Sequence, residues 1–271
     1  MLHRLTTIDH PLLAPYQNIN RKKWNRYPDL FIGEGRFVVE RMLESDYEVV
    51  SVVLGDQAVE HFRDRIPDSV DVIHMPRSLV SQLVGFEFHS GVIACARRRR
   101  LRSLQEHAHI INKDPSTLVV CPFTVLPDNL GSIIRMSSGF GAEAMVVGHR
   151  SADPFSRRAV RVSMGNVFQL PVFEPYSISA ALQTLRDEFG YCIVAATGGP
   201  EARTLPMPRP ARRLAIVLGN EADGIAPEWL AKCDLQVSIP MAGSTDSLNV
   251  ANAAAVLLYQ FLRVDSCFSA K

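Results

Sequence analysis

Two hydrophobic periods alternate along the chain. Residues 36–45 carry Phe37, Val38, Met42 and Leu43 at helical spacing, and the run Phe31-Ile32-Gly33-Glu34-Gly35 opens them. Short β-branched runs predict strands at 49–54, 70–74 and 91–96, with helices at 59–65 and 78–83 between them. Such alternation predicts a small α/β domain. Further on, strands are expected at 117–121, 144–147, 191–196, 214–218 and 235–239, and helices at 130–138 and 178–189. Residues 250–262 read as a helix that is apolar nearly all round, which needs cover on more than one side. Asp246 or Ser247 is placed to cap it. Strand, loop and helix in strict rotation predict a mainly parallel sheet with helices on both faces.

Between these two halves the chain turns polar, through Asn112-Lys113-Asp114-Pro115. We place the boundary near residue 108, giving domains 1–107 and 108–271. A length of 271 residues suits this division. The net charge is only +1, so attraction to nucleic acid must come from local patches. Three are visible. Arg21, Lys22, Lys23 and Arg26 interleave with Trp24 and Tyr27; Arg97, Arg98, Arg99, Arg100 and Arg102 follow a strand; Arg157, Arg158 and Arg161 are spaced to share a helical face. The cysteines are five, scattered and without a C-x-x-C pair, which points to a reducing cytoplasm and away from a disulfide framework or a cysteine zinc site. No secretory signal is visible at the N-terminus, and no apolar run reaches the ~18 residues of a membrane helix.

Candidate chemistry lies where the late strands end. Thr197-Gly198-Gly199-Pro200, Gly219 through Gly224 and Met241 through Asn249 are polar, glycine-bearing loops that follow successive strands. In open α/β sheets ligands bind outside the carboxyl ends of the strands, so these loops are expected to line one cleft. Gly139-Phe140-Gly141-Ala142-Glu143-Ala144 fits the dinucleotide fingerprint in letters, but the helix precedes it and the strand follows, the reverse of what a nicotinamide site needs. There is no G-x-S-x-G and no P-loop, and His107-Ala108-His109 lacks metal-site spacing, so no metal is expected.

Three motifs carry a resemblance. Asn129-Leu130-Gly131-Ser132-Ile133-Ile134-Arg135, Leu218-Gly219-Asn220-Glu221-Ala222-Asp223-Gly224, and Ile239-Pro240-Met241-Ala242-Gly243 with Ser247-Leu248-Asn249-Val250-Ala251 are similar, in order, to the motifs of the SpoU/TrmH family of RNA ribose 2′-O-methyltransferases in the SPOUT superfamily. The first domain resembles the family's substrate-binding domain through Phe31 to Gly35 and His89 to Ala94. Leu126, where the family often has an aspartate, and Ala222-Asp223, in place of a glycine-containing pair, depart from the pattern.

The resemblance implies a C-terminal SPOUT-type parallel-sheet domain with a trefoil knot, a small N-terminal α/β RNA-binding domain, and a homodimer. It implies an S-adenosylmethionine-dependent methyltransferase acting on a ribose 2′-hydroxyl of rRNA or tRNA. The alternative is a catalytically silent RNA-binding protein of the same fold. By the same resemblance Thr197, Gly198, Leu218, Gly219, Asn220, Ile239, Met241, Ser247 and Leu248 hold the cofactor. Asn129, Arg135, Glu221, Ser247 and Asn249 carry the chemistry: the asparagines orient cofactor and ribose, Ser247 serves either, and Glu221 pairs with Arg135 or a cofactor amine. Arg21, Lys22, Lys23, Arg97, Arg98, Arg99, Arg157, Arg158 and Arg161 contact RNA. The family gives the arginine matching Arg135 a part in removing the hydroxyl proton. A guanidinium has no lone pair to offer as a base, so we read Arg135 as fixing a phosphate and stabilising developing negative charge. Lying about a turn and a half beyond Asn129, it is expected to reach the same cleft.

Overall fold

The computed structural model describes residues 2–17, 19, 28–199, 201–220, 222–242 and 247–264. In chain order the strands are β1 Leu2–Arg4, β2 Leu30–Glu34, β3 Val49–Leu54, β4 Asp71–His74, β5 Val92–Arg97, β6 Ser116–Cys121, β7 Ala144–Val147, β8 Val172–Phe173, β9 Cys192–Ala196, β10 Arg203–Thr204, β11 Arg213–Leu218 and β12 Leu235–Ser238. The helices are α1 Arg36–Leu43, α2 Val59–Phe62, α3 Arg77–Val84, α4 Ala108–Ile111, α5 Pro127–Phe140, α6 Arg157–Val162, α7 Ile178–Asp187, α8 Pro227–Leu230 and α9 Val250–Tyr259. Contacts gather the chain into two compact units. One is Met1–Arg99 with Phe155–Phe168; the other is Arg100–Pro154 with Gln169–Lys271.

The first unit is built on a five-stranded sheet in the order β1-β4-β3-β5-β2. Its core gathers Leu13, Tyr16, Ile32, Val53, Ile73, Val80, Phe88, Ile93 and Cys95. The run ahead of the helix expected at 36–45 forms the edge strand β2, antiparallel to β5, with Phe31 and Ile32 buried. Gly35, at φ 98°, then turns the chain into α1, a conformation that glycine adopts without strain. Tyr16 is wholly buried, and its hydroxyl donates to the Ser51 carbonyl at 2.9 Å. Helix α6 belongs to this unit too. Ser156 caps it by accepting from the Ala159 amide, and Ala159 and Val160 point inward.

The second unit carries a seven-stranded sheet in the order β10-β12-β9-β11-β6-β7-β8, with every pairing parallel. The expected mainly parallel α/β architecture is therefore present. β9, β11 and β12 are near neighbours in sequence, and in the sheet β9 lies between the other two. Their carboxyl ends stand side by side. Helix α9 buries Val250, Ala251, Ala254, Leu257 and Leu258, packs on α5, and passes into a π-helical turn at Gln260–Val264. Val256 and Tyr259 stay exposed on it, so the nearly uniform apolarity covers most of the helix and leaves an apolar strip. The cap differs from expectation. Asn249 is the N-cap, accepting from the Ala251 amide at 2.9 Å, because its side chain stands one residue ahead of the first helical position. Ser247 lies before it, and Asp246 falls outside the described residues.

Candidate active site at the carboxyl ends of the parallel strands

A cavity of about 360 Å³ opens where β9, β11 and β12 end. Thr197 and Gly198 line it after β9, Leu218, Gly219 and Asn220 after β11, Ile239 and Met241 after β12, and Ser247, Leu248 and Asn249 before α9. Every residue expected to hold the cofactor is on this wall. Ala196, Gly224, Val237, Val250 and Ala253 complete it. Gly224 and Val250 fall within the quoted motifs, whereas Ala196, Val237 and Ala253 were not singled out, because a strand end or first helical turn looks the same whether it faces a ligand or the core. Met241 and Leu248 are partly open to solvent and supply apolar surface.

Backbone shapes the floor. A Cβ on Gly219 would come within 2.8 Å of the Gly224 carbonyl carbon and 2.9 Å of its Cα. The chain can therefore double back only over a glycine. Asn220 and Gly224 close that turn with reciprocal amide–carbonyl bonds of 2.7 and 3.1 Å. The Asn220 side chain is committed to the turn as well. Its Oδ1 accepts from the Ala222 and Asp223 amides, and its Nδ2 donates to the Phe123 carbonyl at 3.2 Å. Asn220 thus presents backbone, while its side chain ties the β11 loop to the loop after β6. Thr197 is pinned by its amide, which donates to the Val237 carbonyl at 2.9 Å.

The two asparagines meet. Asn249 Nδ2 donates to Asn129 Oδ1 at 3.1 Å, across 120 positions of sequence. Asn129 stands in the first turn of α5 and is only 8 % exposed. With its Oδ1 on the Ala251 amide, Asn249 has both ends of its side chain fixed. Leu126, the position that departs from the family pattern, is the N-cap of α5. It has extended backbone, no side-chain cap bond and an exposed side chain.

Arg135 is exposed on α5, and it is not among the residues lining the cavity. Six residues at about 100° each carry it some 240° around the helix from Asn129. Asn129 is not among the lining residues either, and it meets the cavity wall through Asn249. Glu221, expected beside it, lies outside the described residues, as do Arg21, Lys22 and Lys23. Arg97 pairs with Glu48 at 2.9 Å, while Arg98 and Arg99 lie over the rings of Phe155 and Tyr47. Arg157 pairs with Glu34, and Arg158 and Arg161 are exposed on the same helix.

The groups whose acidity the fold shifts most lie away from the cavity. Burial raises the Tyr16 phenol and pushes the Cys95 thiol to about 12. Burial also raises Tyr191 and Cys192, at the opposite end of β9, and carries Cys233 to about 12 with help from Asp234. Among the described residues no group of three His, Cys, Asp or Glu is placed to hold a metal, and no helix is long and apolar enough to cross a membrane.

Comparison with known proteins supplies the context. The SpoU rRNA Methylase family matches residues 116–259. An uncharacterised tRNA/rRNA methyltransferase of Mycobacterium bovis is 33 % identical over 265 residues, spanning 94 % of this chain and 90 % of that protein. A 23S rRNA (guanosine-2′-O-)-methyltransferase of Nitrosomonas europaea is 31 % identical over 199 residues, 73 % of this chain and 75 % of the other. In fold, the chain is similar to an AdoMet-bound rRNA methyltransferase from Sinorhizobium meliloti, with a TM-score of 0.81 and 22 % identity over 96 % of this chain and 97 % of that one. Family match, near full-length similarity and shared fold converge, and the chain belongs to the SpoU rRNA methylase family.

Proposed function

We propose that the cavity at the ends of β9, β11 and β12 holds S-adenosylmethionine, and that the chain places a methyl group on a ribose 2′-hydroxyl of rRNA or tRNA. The observation that carries this reading is the convergence of three separate loops, each with its expected residues, on one cavity in a member of the SpoU family. The residues fit the cofactor. The volume suits a nucleoside-sized ligand, the doubled-back turn at Gly219 offers backbone at close range, and Met241 and Leu248 offer apolar surface to a base. Bound there, the sulfonium supplies an activated methyl group.

The rest is the chain's own work. Methyl transfer is an in-line displacement, so holding donor and hydroxyl in line is the main task. Backbone at Gly198, Gly219, Ile239 and Leu248 holds the adenosine and methionine parts. The Asn129–Asn249 pair, held rigid by its bond and by the helix cap, orients ribose and cofactor, and Ser247 serves one of the two. Arg135, exposed on the helix that carries Asn129, takes a phosphate of docked RNA and stabilises the developing oxyanion, an effect typically of about 3 kcal/mol, while the hydroxyl proton leaves late to that phosphate or to water. The first unit is the RNA-binding domain and the second the methyltransferase domain, with a trefoil knot in the latter. The enzyme works as a homodimer in the cytoplasm, and the exposed apolar strip of α9, Val256 and Tyr259, is the surface we assign to the partner copy.

The test is transfer of labelled methyl from S-adenosylmethionine to rRNA and tRNA, with 2′-O-methyl sites mapped in cells with and without the protein. Wild type incorporates label. Arg135→Ala keeps cofactor affinity and fold and loses turnover by about a hundredfold or more. Near-normal turnover of that variant on saturating RNA removes Arg135 from the reaction, and absence of any incorporation by wild type overturns the activity.

A further inference from the structure

A second pocket, of about 510 Å³, lies wholly within the first unit and shares no residue with the cavity above. Its walls combine aromatic rings and guanidinium groups. Phe37 is 56 % exposed at the start of α1, although Val38 and Val39 beside it are buried, and the Arg36 guanidinium stands 5.4 Å from its ring and pairs with Glu40 at 3.4 Å. Opposite chemistry is built in on α6. Arg157 lies 4.3 Å over the Phe86 ring and pairs at 2.7 Å with Glu34, whose carboxylate is 8 % exposed. That carboxylate is neutralised where it sits, so Arg157 and Phe86 make a fixed wall and add little net charge.

Arg161 follows one turn later on α6, exposed and without an ion pair among the described residues. His89, also on the wall, is held by Arg77 at 2.6 Å, and Glu87 stands 3.4 Å from it. Met164 completes the rim at φ 55°, a left-handed conformation rare for a side chain of this kind, with its carbonyl held by Arg41. Strain of this sort persists only where surrounding contacts enforce it. A lone phosphate would have no use for an exposed phenyl ring, and a purely apolar ligand would leave Arg161 unanswered. A ring face beside the available Arg161 cation matches a nucleotide, base and phosphate together. A base inside a duplex cannot offer its face to a side chain, so the nucleotide must be unpaired.

We propose that this pocket receives one unpaired nucleotide of the RNA substrate, its base on the Phe37 ring and its phosphate on Arg161. The proposal rests on the RNA methyltransferase reading and adds to it a place where RNA is gripped apart from the cofactor cavity.

The experiment uses the full chain and a fluorescein-labelled single-stranded oligoribonucleotide of about ten mixed-sequence nucleotides, alone or annealed to its complement, with anisotropy read across a range of salt. Phe37→Ala weakens binding of the single strand about tenfold, while Phe37→Tyr, which keeps the ring, stays within about twofold of wild type. Arg161→Ala lowers the slope of log affinity against log salt by about 0.7, the loss of one single-strand phosphate contact. Thermal melting and S-adenosylmethionine binding, measured on the same variants, report the fold. Wild-type affinity in both Phe37→Ala and Arg161→Ala overturns the pocket and leaves the methyltransferase reading standing. Equal binding of duplex and single strand, with the variants following both alike, overturns the unpaired nucleotide. A wild-type chain that binds neither this probe nor rRNA or tRNA overturns the pocket and the RNA reading together.

Discussion

Asn249 is where support of the fold and service to the reaction can be separated. Its Oδ1 caps α9 on the Ala251 amide, and its Nδ2 bonds the buried Asn129. Asn249→Ala removes both. Loss of the cap costs about 1 kcal/mol. Leaving the Asn129 oxygen without this donor in a site 8 % exposed costs roughly 1–2 kcal/mol more. At roughly 2–4 °C per kcal/mol for a chain approaching this size, the melting temperature should fall by about 5–10 °C. Asn249→Ser keeps an oxygen for the cap and is too short to reach Asn129, so it should recover about 1 kcal/mol of the loss. Asn249→Asp also keeps the cap, but it sets a carboxylate oxygen against the Asn129 oxygen across the present 3.1 Å. Calorimetric melting, cofactor titration and methyl transfer are read on the same samples. We expect Ser to restore part of the stability without restoring turnover, and the double change with Asn129→Ala to cost clearly less than the sum of the single ones. If Asn249→Ala melts within about 1 °C of wild type, the reasoning from cap and buried bond is wrong. If Asn249→Ser restores turnover, the residue is a cap and no more.

Gly219→Ala pushes a methyl into the Gly224 backbone and should cost about 1–3 kcal/mol, with loss of S-adenosylmethionine binding by calorimetry. Gly198→Ala, on the same wall with open space around it, should leave the melting temperature near wild type. Leu126→Asp supplies the missing acceptor at the N-cap of α5 and removes an exposed leucine, so it should stabilise the chain by about 1 kcal/mol in a denaturant titration. Val256→Glu on the exposed strip of α9 should yield a monomer of 30.1 kDa by light scattering where wild type shows twice that mass. An unchanged dimer would place the interface elsewhere.

Much of the secondary structure is readable from period alone. β3 and β7 begin and end where their β-branched runs do, and α1, α3, α5 and α9 follow their apolar stripes, because burial of one face selects the element that aligns it. Local reading failed where the signal is short. β2 is five residues with a central glycine, and β1 is three residues in a polar stretch, so each owes its existence to its sheet partners. The loops at the ends of β9, β11 and β12 were visible as glycine-bearing polar segments, and their motif residues do share one cavity. Arg135 shows the opposite limit. Spacing along the helix axis put it near Asn129, and the turn of 3.6 residues carries it to another face.

By itself, then, the sequence determined the longer elements, the parallel class of the second sheet and the polar loops that end its late strands, since all of these follow from local pattern and backbone chemistry. Only the tertiary structure decided that β9 lies between β11 and β12, that Asn249 bonds Asn129, and that α6 joins the first unit to set Arg157 over Phe86. Each is a contact between residues tens to more than a hundred positions apart. Such contacts are chosen by competition among all possible pairings for the same buried surface, and no window of sequence contains that competition.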